Sequence, residues 1–252
     1  MKHRSALILL LLLLLALPCA VRAESEYAYP LFTQNQYTGP DYMTRDGFAL
    51  KDGGCNLFAM VHAMQWANQC AYGDDLVKAL LQVHDPYPST GEALNAYCEY
   101  AAQHDGIRYL GLHDEGEKVG QELRDLLNDG YALVVNNMSG HMLCAVDYVI
   151  CDAENSIIED DGQTIPPDGG MFILLVDSSP ASSTCNADHA YHNKTYQIRN
   201  GQMVRQPNYT YGDGNAASTY WVKLSRLYVN RAIKGTRPGR GGGAALVLEQ
   251  GN

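Results

Sequence analysis

The chain has 252 residues, with 18 basic and 28 acidic side chains and a net charge of −10. That length suits one domain, or one domain with two lobes. The acidic balance argues against nucleic acid or an anionic membrane surface as partner, and no basic stripe offsets it.

Lys2, His3 and Arg4 precede an apolar run over residues 6–17. Pro18 breaks the run, and Val21-Arg22-Ala23 offers small residues at the positions a signal peptidase reads. Residues 1–23 are therefore expected to be a secretory signal peptide, cut before Glu24. A lipoprotein anchor at Cys19 is the weaker alternative, because Pro18 directly before it makes a poor lipobox. Cleavage removes Lys2, Arg4 and Arg22 from the 18 basic residues, leaving 15 against 28 acidic and a net charge of −13. No later segment approaches the ~20 apolar residues that span a bilayer. The expected mature protein is secreted or extracytoplasmic and free of the membrane, with one domain over 24–235 and a Gly-rich tail over 236–252. The sequence says nothing of oligomeric state.

Residues 24–54 read as an extended, turn-rich entry punctuated by Pro30, Gly39-Pro40, Asp46-Gly47 and Gly53-Gly54. A helix is expected from Cys55 to about residue 71, with Leu57, Met60, Val61, Met64 and Ala67 at helical spacing. Further helices are expected over 74–84, from about residue 89 onward, and over 118–127. The period then changes. "YALVVNNM" (131–138), "HMLCAVDYVICD" (141–152), "GMFILLVDSS" (170–179) and "STYWVKLSRLY" (218–228) are rich in β-branched and aromatic residues and read as strands. Residues 153–169 read as a loop, and 180–217 as a stretch with little regular structure. Helices first and strands later imply an α+β fold with segregated lobes.

After signal cleavage six cysteines remain, at 55, 70, 98, 144, 151 and 185. An exported chain with an even count can form three bridges. The count leaves open whether Cys55 reacts, pairs or only packs. Its position is suggestive: it heads an apolar helix straight after two glycines. A helix N-terminus and a neighbouring imidazolium both favour a thiolate. First-turn amides can also hold a developing oxyanion.

The base has to come from elsewhere. His62 lies two turns along the same helix, about 10 Å away, and reads as a packed or half-exposed helix histidine. His84, His104 and His113 have bland explanations at helix ends or in a charged loop. His141 opens the apolar strand "MLCAVDYV" after Ser139-Gly140. An imidazole base needs an orienter. Asp177 ends the next strand and reaches His141 if the two strands are antiparallel neighbours. Asp147, six residues along the same strand and about 20 Å off, does not.

"GGCNLFAMVHAM", "LRDLLNDGYALVV", "SGHMLCAVDY" and "LLVDSS" together resemble a papain-like cysteine peptidase of the type that processes bacteriocin leaders, in a stand-alone secreted form. The resemblance spans roughly residues 31–180. It implies a helical lobe bearing the nucleophile, packed on an antiparallel β-sheet lobe. It also implies Cys55 as nucleophile, His141 as base, Asp177 as orienter, and a glutamine in the oxyanion hole. "FTQNQY" offers Gln36 or Gln34 for that last role, with Gln36 preferred because it precedes Tyr37. The family usually has glycine where Asn56 stands, proline where Ser178 stands, and a shorter gap from His141 to Asp177.

The implied activity is hydrolysis of peptide bonds in a peptide or protein substrate, through an acyl-enzyme and without a cofactor. A murein amidase or peptidase, or a transglutaminase-like acyl transferase, would share the Cys-then-His order. A non-catalytic exported binding domain, with Cys55 bridged to Cys70 or Cys98 and its tyrosines used for recognition, is the alternative from another class. No metal is expected: "CNADHAYH" (185–192) matches no zinc spacing, and "EDDG" (159–162) places too few oxygens for calcium. Asn137, Asn193 and Asn208 start sequons that matter only in a glycosylating host.

Overall fold

The computed structural model describes residues 27–87, 89–111, 117–136, 141–160, 165, 170–179, 195–206, 217–224 and 226–240. The expected signal peptide, the sequon asparagines, His113, the 185–192 loop and residues 241–252 lie outside them.

Five α-helices are described: α1 (Leu50–Gly53), α2 (Cys55–Asn68), α3 (Asp74–Val83), α4 (Thr90–His104) and α5 (Gly120–Asn128). The strands are β1 (Arg108–Gly111), β2 (Glu117–Val119), β3 (Ala132–Asn136), β4 (Met142–Cys151), β5 (Ile157–Ile158), β6 (Gly170–Asp177), β7 (Thr195–Arg199), β8 (Gln202–Arg205), β9 (Ser218–Lys223) and β10 (Arg226–Lys234). They form one sheet in the order β1-β10-β3-β4-β6-β9-β7-β8, with β2 added on β10 and β5 on β4. Every pairing is antiparallel. The α+β expectation holds, and among the described residues no helix is long and apolar enough to cross a membrane.

Burial explains the layering. One face of the sheet, including Val134, Cys144, Val146, Phe172 and Leu174, shares a core with α2, α3 and α4. The other face, including Leu143, Ala145, Tyr148, Ile173 and Tyr220, packs under Leu123 and Leu127 of α5. The fourth helix expected from sequence therefore crosses to the far side. β4 is buried along its whole length, as a central strand covered on both faces must be.

α2 is the centre of the helical layer. It was expected to show one apolar face, but every residue from Asn56 to Ala67 is buried. Helices, the sheet and the entry segment surround it on all sides, so its polar members need partners within the protein. It ends at Gln69, whose φ of 54° is left-handed, two residues before the expected stop.

Two differences from the sequence reading concern strands. The run 218–228 is not one strand: β9 pairs with β6, and β10 crosses the sheet to lie between β1 and β3. The polar stretch after residue 180 contains β7 and β8, joined by Asn200 and Gly201 at φ 50° and 76°. Asn-Gly is the residue pair a tight hairpin turn demands.

A third difference concerns the expected tail. Residues 236–240 pack against the body. The Arg237 guanidinium lies 3.4 Å from the Trp66 ring centroid, and its amide donates to Ala67 O. Arg240 pairs with Asp147 and covers the Tyr148 ring at 3.9 Å. Asp147, the carboxylate rejected as an orienter, thus serves a β-bulge, where its Oδ1 accepts from Tyr148 N.

Candidate active site

The α1–α2 junction sets the position of Cys55. Gly54 N donates to Leu50 O, closing α1, and Gly54 is at once the N-cap of α2. A Cβ on Gly54 would stand 2.6 Å from that carbonyl oxygen and 3.0 Å from Phe58. Only glycine fits there, for reasons of space, since its φ is −89°. Cys55 is half-buried and follows at once, heading a helix whose N-cap has no side chain. The next residue, Asn56, donates from Nδ2 to Pro86 O at 2.8 Å and accepts from Leu57 N. The position where a glycine was expected therefore fixes the helix start to the loop after α3.

Cys55, Cys70, Cys98, Cys144 and Cys151 are all free thiols. This corrects the expectation, held for the binding-domain alternative, of a bridge from Cys55 to Cys70 or Cys98. Cys98, Cys144 and Cys151 are buried; Cys55 and Cys70 are the half-exposed ones. Burial pushes the Cys98 and Cys151 thiols up to about 12.

β4 and β6 are antiparallel neighbours, with Cys144 opposite Val176, so the end of β6 lies beside the start of β4. His141 Nε2 and Asp177 Oδ1 are 2.8 Å apart, and both side chains are nearly inaccessible, at 2% and 1% exposure. Asp177 Oδ1 also accepts from Ser179 N at 2.9 Å, and Oδ2 accepts from the Tyr220 hydroxyl at 2.9 Å. Burial alone would raise the Asp177 carboxyl. The His141 charge and hydrogen bond outweigh it, with help from Ser179 and Tyr220, and hold it below the usual carboxylate range.

The entry segment ties these pieces together. The buried Gln34 donates from Nε2 to Lys51 O at 2.9 Å, four residues before Cys55. Its Oε1 accepts from Ser178 Oγ at 3.3 Å, and its backbone N donates to Ser178 O at 2.9 Å, one residue after Asp177. Gln36, the glutamine preferred from sequence, is exposed. The short 3-10 turn Gln34–Gln36 separates the two side chains, sending the first inward and the second out. Of the two glutamines, it is Gln34 whose side chain bonds to the run before Cys55 and to the residue after Asp177.

His62 is packed, the first of the two expectations for it, and fully buried. Its Nε2 accepts from Phe32 N at 3.0 Å, so its proton sits on Nδ1, which is buried without a hydrogen-bond partner among the described residues. Gln65, one turn on, donates to Pro30 O and to the Tyr27 hydroxyl. These two polar side chains of α2 anchor the segment that carries Gln34. Burial pulls His62 from 6.5 down to about 3, against the opposing pull of the nearby Asp177 charge. A histidine depressed in the fold takes its proton first in the unfolded chain. Its contribution to stability is complete above about pH 6.5 and is lost as pH falls from there toward about 3, at up to ~1.4 kcal/mol per pH unit. Denaturant titrations between about pH 7 and 4 check this: His62→Gln is expected to flatten the acid slope by roughly one proton.

Among the described residues, His84 and His104 make local contacts, as expected. His84 Nδ1 meets Asp85 O, and His104 Nδ1 meets Tyr100 O. Among the described residues no group of three His, Cys, Asp or Glu side chains gathers as a metal site.

The residues that the sequence reading missed are Tyr220 and the anchoring pair His62 and Gln65. Tyr220 carried no local signal, because its partner lies 43 residues away across a strand pairing. His62 and Gln65 were polar interruptions in an apolar helix, which is itself a sign of buried hydrogen bonding. No protein-family model matches the chain, and neither the curated proteins nor the solved structures compared with it give a match.

Proposed function

We propose that the chain is a papain-like thiol peptidase that hydrolyses peptide bonds through Cys55, His141 and Asp177. The observation that carries the reading is the buried 2.8 Å bond between His141 and Asp177, on neighbouring strands packed against the helix that Cys55 heads. That bond uses Nε2, so Nδ1 is the ring nitrogen that a thiol would meet. Gln34 adds support, because it bonds both to the run that leads into Cys55 and to the residue that follows Asp177.

In this reading His141 takes the proton of Cys55, and Sγ attacks the substrate carbonyl carbon. The Cys55 amide and the second Nε2 hydrogen of Gln34 hold the resulting oxyanion. The C–N bond breaks as His141 returns the proton to the leaving amine, and a thioester remains on Cys55. A water molecule, deprotonated by His141, attacks that thioester. The carboxylic acid product leaves, and the proton returns to sulfur. Asp177 keeps the imidazole in one tautomer and steadies its charged form.

The test is site-resolved alkylation of the native protein with iodoacetamide or an epoxysuccinyl probe. Cys55 is expected to react at least about tenfold faster than Cys70, which is also half-buried, and His141→Gln is expected to remove the difference. Equal rates at the two thiols in the parent protein would end the peptidase reading.

A further inference from the structure

We propose that Tyr220 is a positioning residue for this site, locking the Asp177 carboxylate so that Oδ1 alone faces His141. The consequence for catalysis rests on the peptidase reading; the effect on the histidine does not.

β9 pairs with β6 so that Tyr220 stands opposite Leu175 and Ser218 opposite Asp177. Tyr220 therefore lies on the same sheet face as Asp177, one pleat back. Its ring is 4% exposed and sits in the core with Leu175 and Ile173. The ring cannot swing away without opening that core, so its hydroxyl is a fixed donor, 2.9 Å from Oδ2. Ser179 N, also fixed, holds Oδ1 at 2.9 Å. One donor on each oxygen stops the carboxylate from rotating about its own axis. Without the tyrosine hydroxyl, Oδ2 loses its anchor and the two oxygens can exchange.

Charge follows geometry. A donor on Oδ2 draws negative charge away from Oδ1. Removing it concentrates that charge beside His141 and favours the imidazolium, so the histidine holds its proton to higher pH. Few other groups blur this effect. His62 of α2 feels the Asp177 charge, but burial pulls it down to about 3, so it stays neutral over the range titrated. Ser179 and Ser218 do not titrate. Alanine in place of Cys55, at the head of α2, takes the thiol out of the comparison.

The experiment is an NMR titration of the His141 ring in Cys55→Ala protein, with and without Tyr220→Phe. The phenylalanine variant keeps the buried ring and loses only the hydroxyl. It is expected to raise the His141 midpoint by about 0.5 to 1 pH unit, and to do nothing once Asp177→Asn is also present. A shift below about 0.2 unit, or an equal shift in the Asp177→Asn background, would overturn the proposal. In protein that retains Cys55, Tyr220→Phe is expected to lower kcat about tenfold with KM unchanged, and to move the alkaline limb of kcat/KM upward. If the histidine shifts as expected while no variant hydrolyses peptide, the tyrosine's role stands and the peptidase reading falls. If peptide is cleaved and the histidine does not move, the reverse holds.

Discussion

Cys55→Ala is expected to lower peptide hydrolysis by about 10⁴- to 10⁶-fold while leaving the urea midpoint nearly unchanged. The chemical half of this follows from the role of the sulfur. Without Sγ no thioester forms, and what remains is the catalysis that oxyanion donors and binding give unaided. The structural half follows from burial. Cys55 is only half-buried, and alanine deletes a single atom at the mouth of a helix, at a cost of about 1 kcal/mol or less. His141→Ala is a poorer test of the same idea. It strands the buried Asp177, 1% exposed, without its imidazole partner, and breaking a buried pair in this way costs about 3–5 kcal/mol. Lost activity in that variant could simply report unfolding. Matched kcat/KM and urea curves for Cys55→Ala separate the two causes. Residual hydrolysis within about tenfold of the parent would remove Cys55 from the nucleophile's place.

Much of the candidate site was legible because its residues announce themselves locally. Cys55 follows two glycines at a helix start, and His141 and Asp177 sit at the ends of two strong strands. One assumption, that those strands are antiparallel neighbours, brings the last two together, and β4 and β6 satisfy it. What stayed hidden depends on the third dimension. The choice between Gln34 and Gln36 turns on one short turn that buries the first and exposes the second. Tyr220 matters only because β9 returns to the sheet beside β6 rather than continuing into β10 as one strand. Residues 236–240 belong by composition to the Gly-rich tail. Yet two arginines there find aromatic rings and a buried carboxylate, which no count of glycines predicts. The β7–β8 hairpin is a different case: its Asn200-Gly201 turn is visible in the sequence, but the polar residues around it carry a weak strand signal.

Gln34→Ala is expected to lower kcat by about 10²- to 10³-fold with little change in KM, and Gln36→Ala to leave both as they are. The asymmetry separates a role in the reaction from a role in holding the segment. The Gln34 side chain spends one amide hydrogen on Lys51 O and its oxygen on Ser178 Oγ, which fixes the plane of the amide and aims the second hydrogen. A donor held this way strengthens most when the carbonyl oxygen gains charge, so its loss belongs in kcat rather than KM. The segment itself is held independently, through Phe32 N on His62 and Pro30 O on Gln65. Alanine at position 34 therefore removes the donor without releasing the segment. A fall in KM-linked binding with kcat intact would mean that Gln34 touches bound substrate rather than the transition state. An equal loss in Gln36→Ala would mean that the exposed side of the turn, and not its buried side, faces the reacting carbonyl.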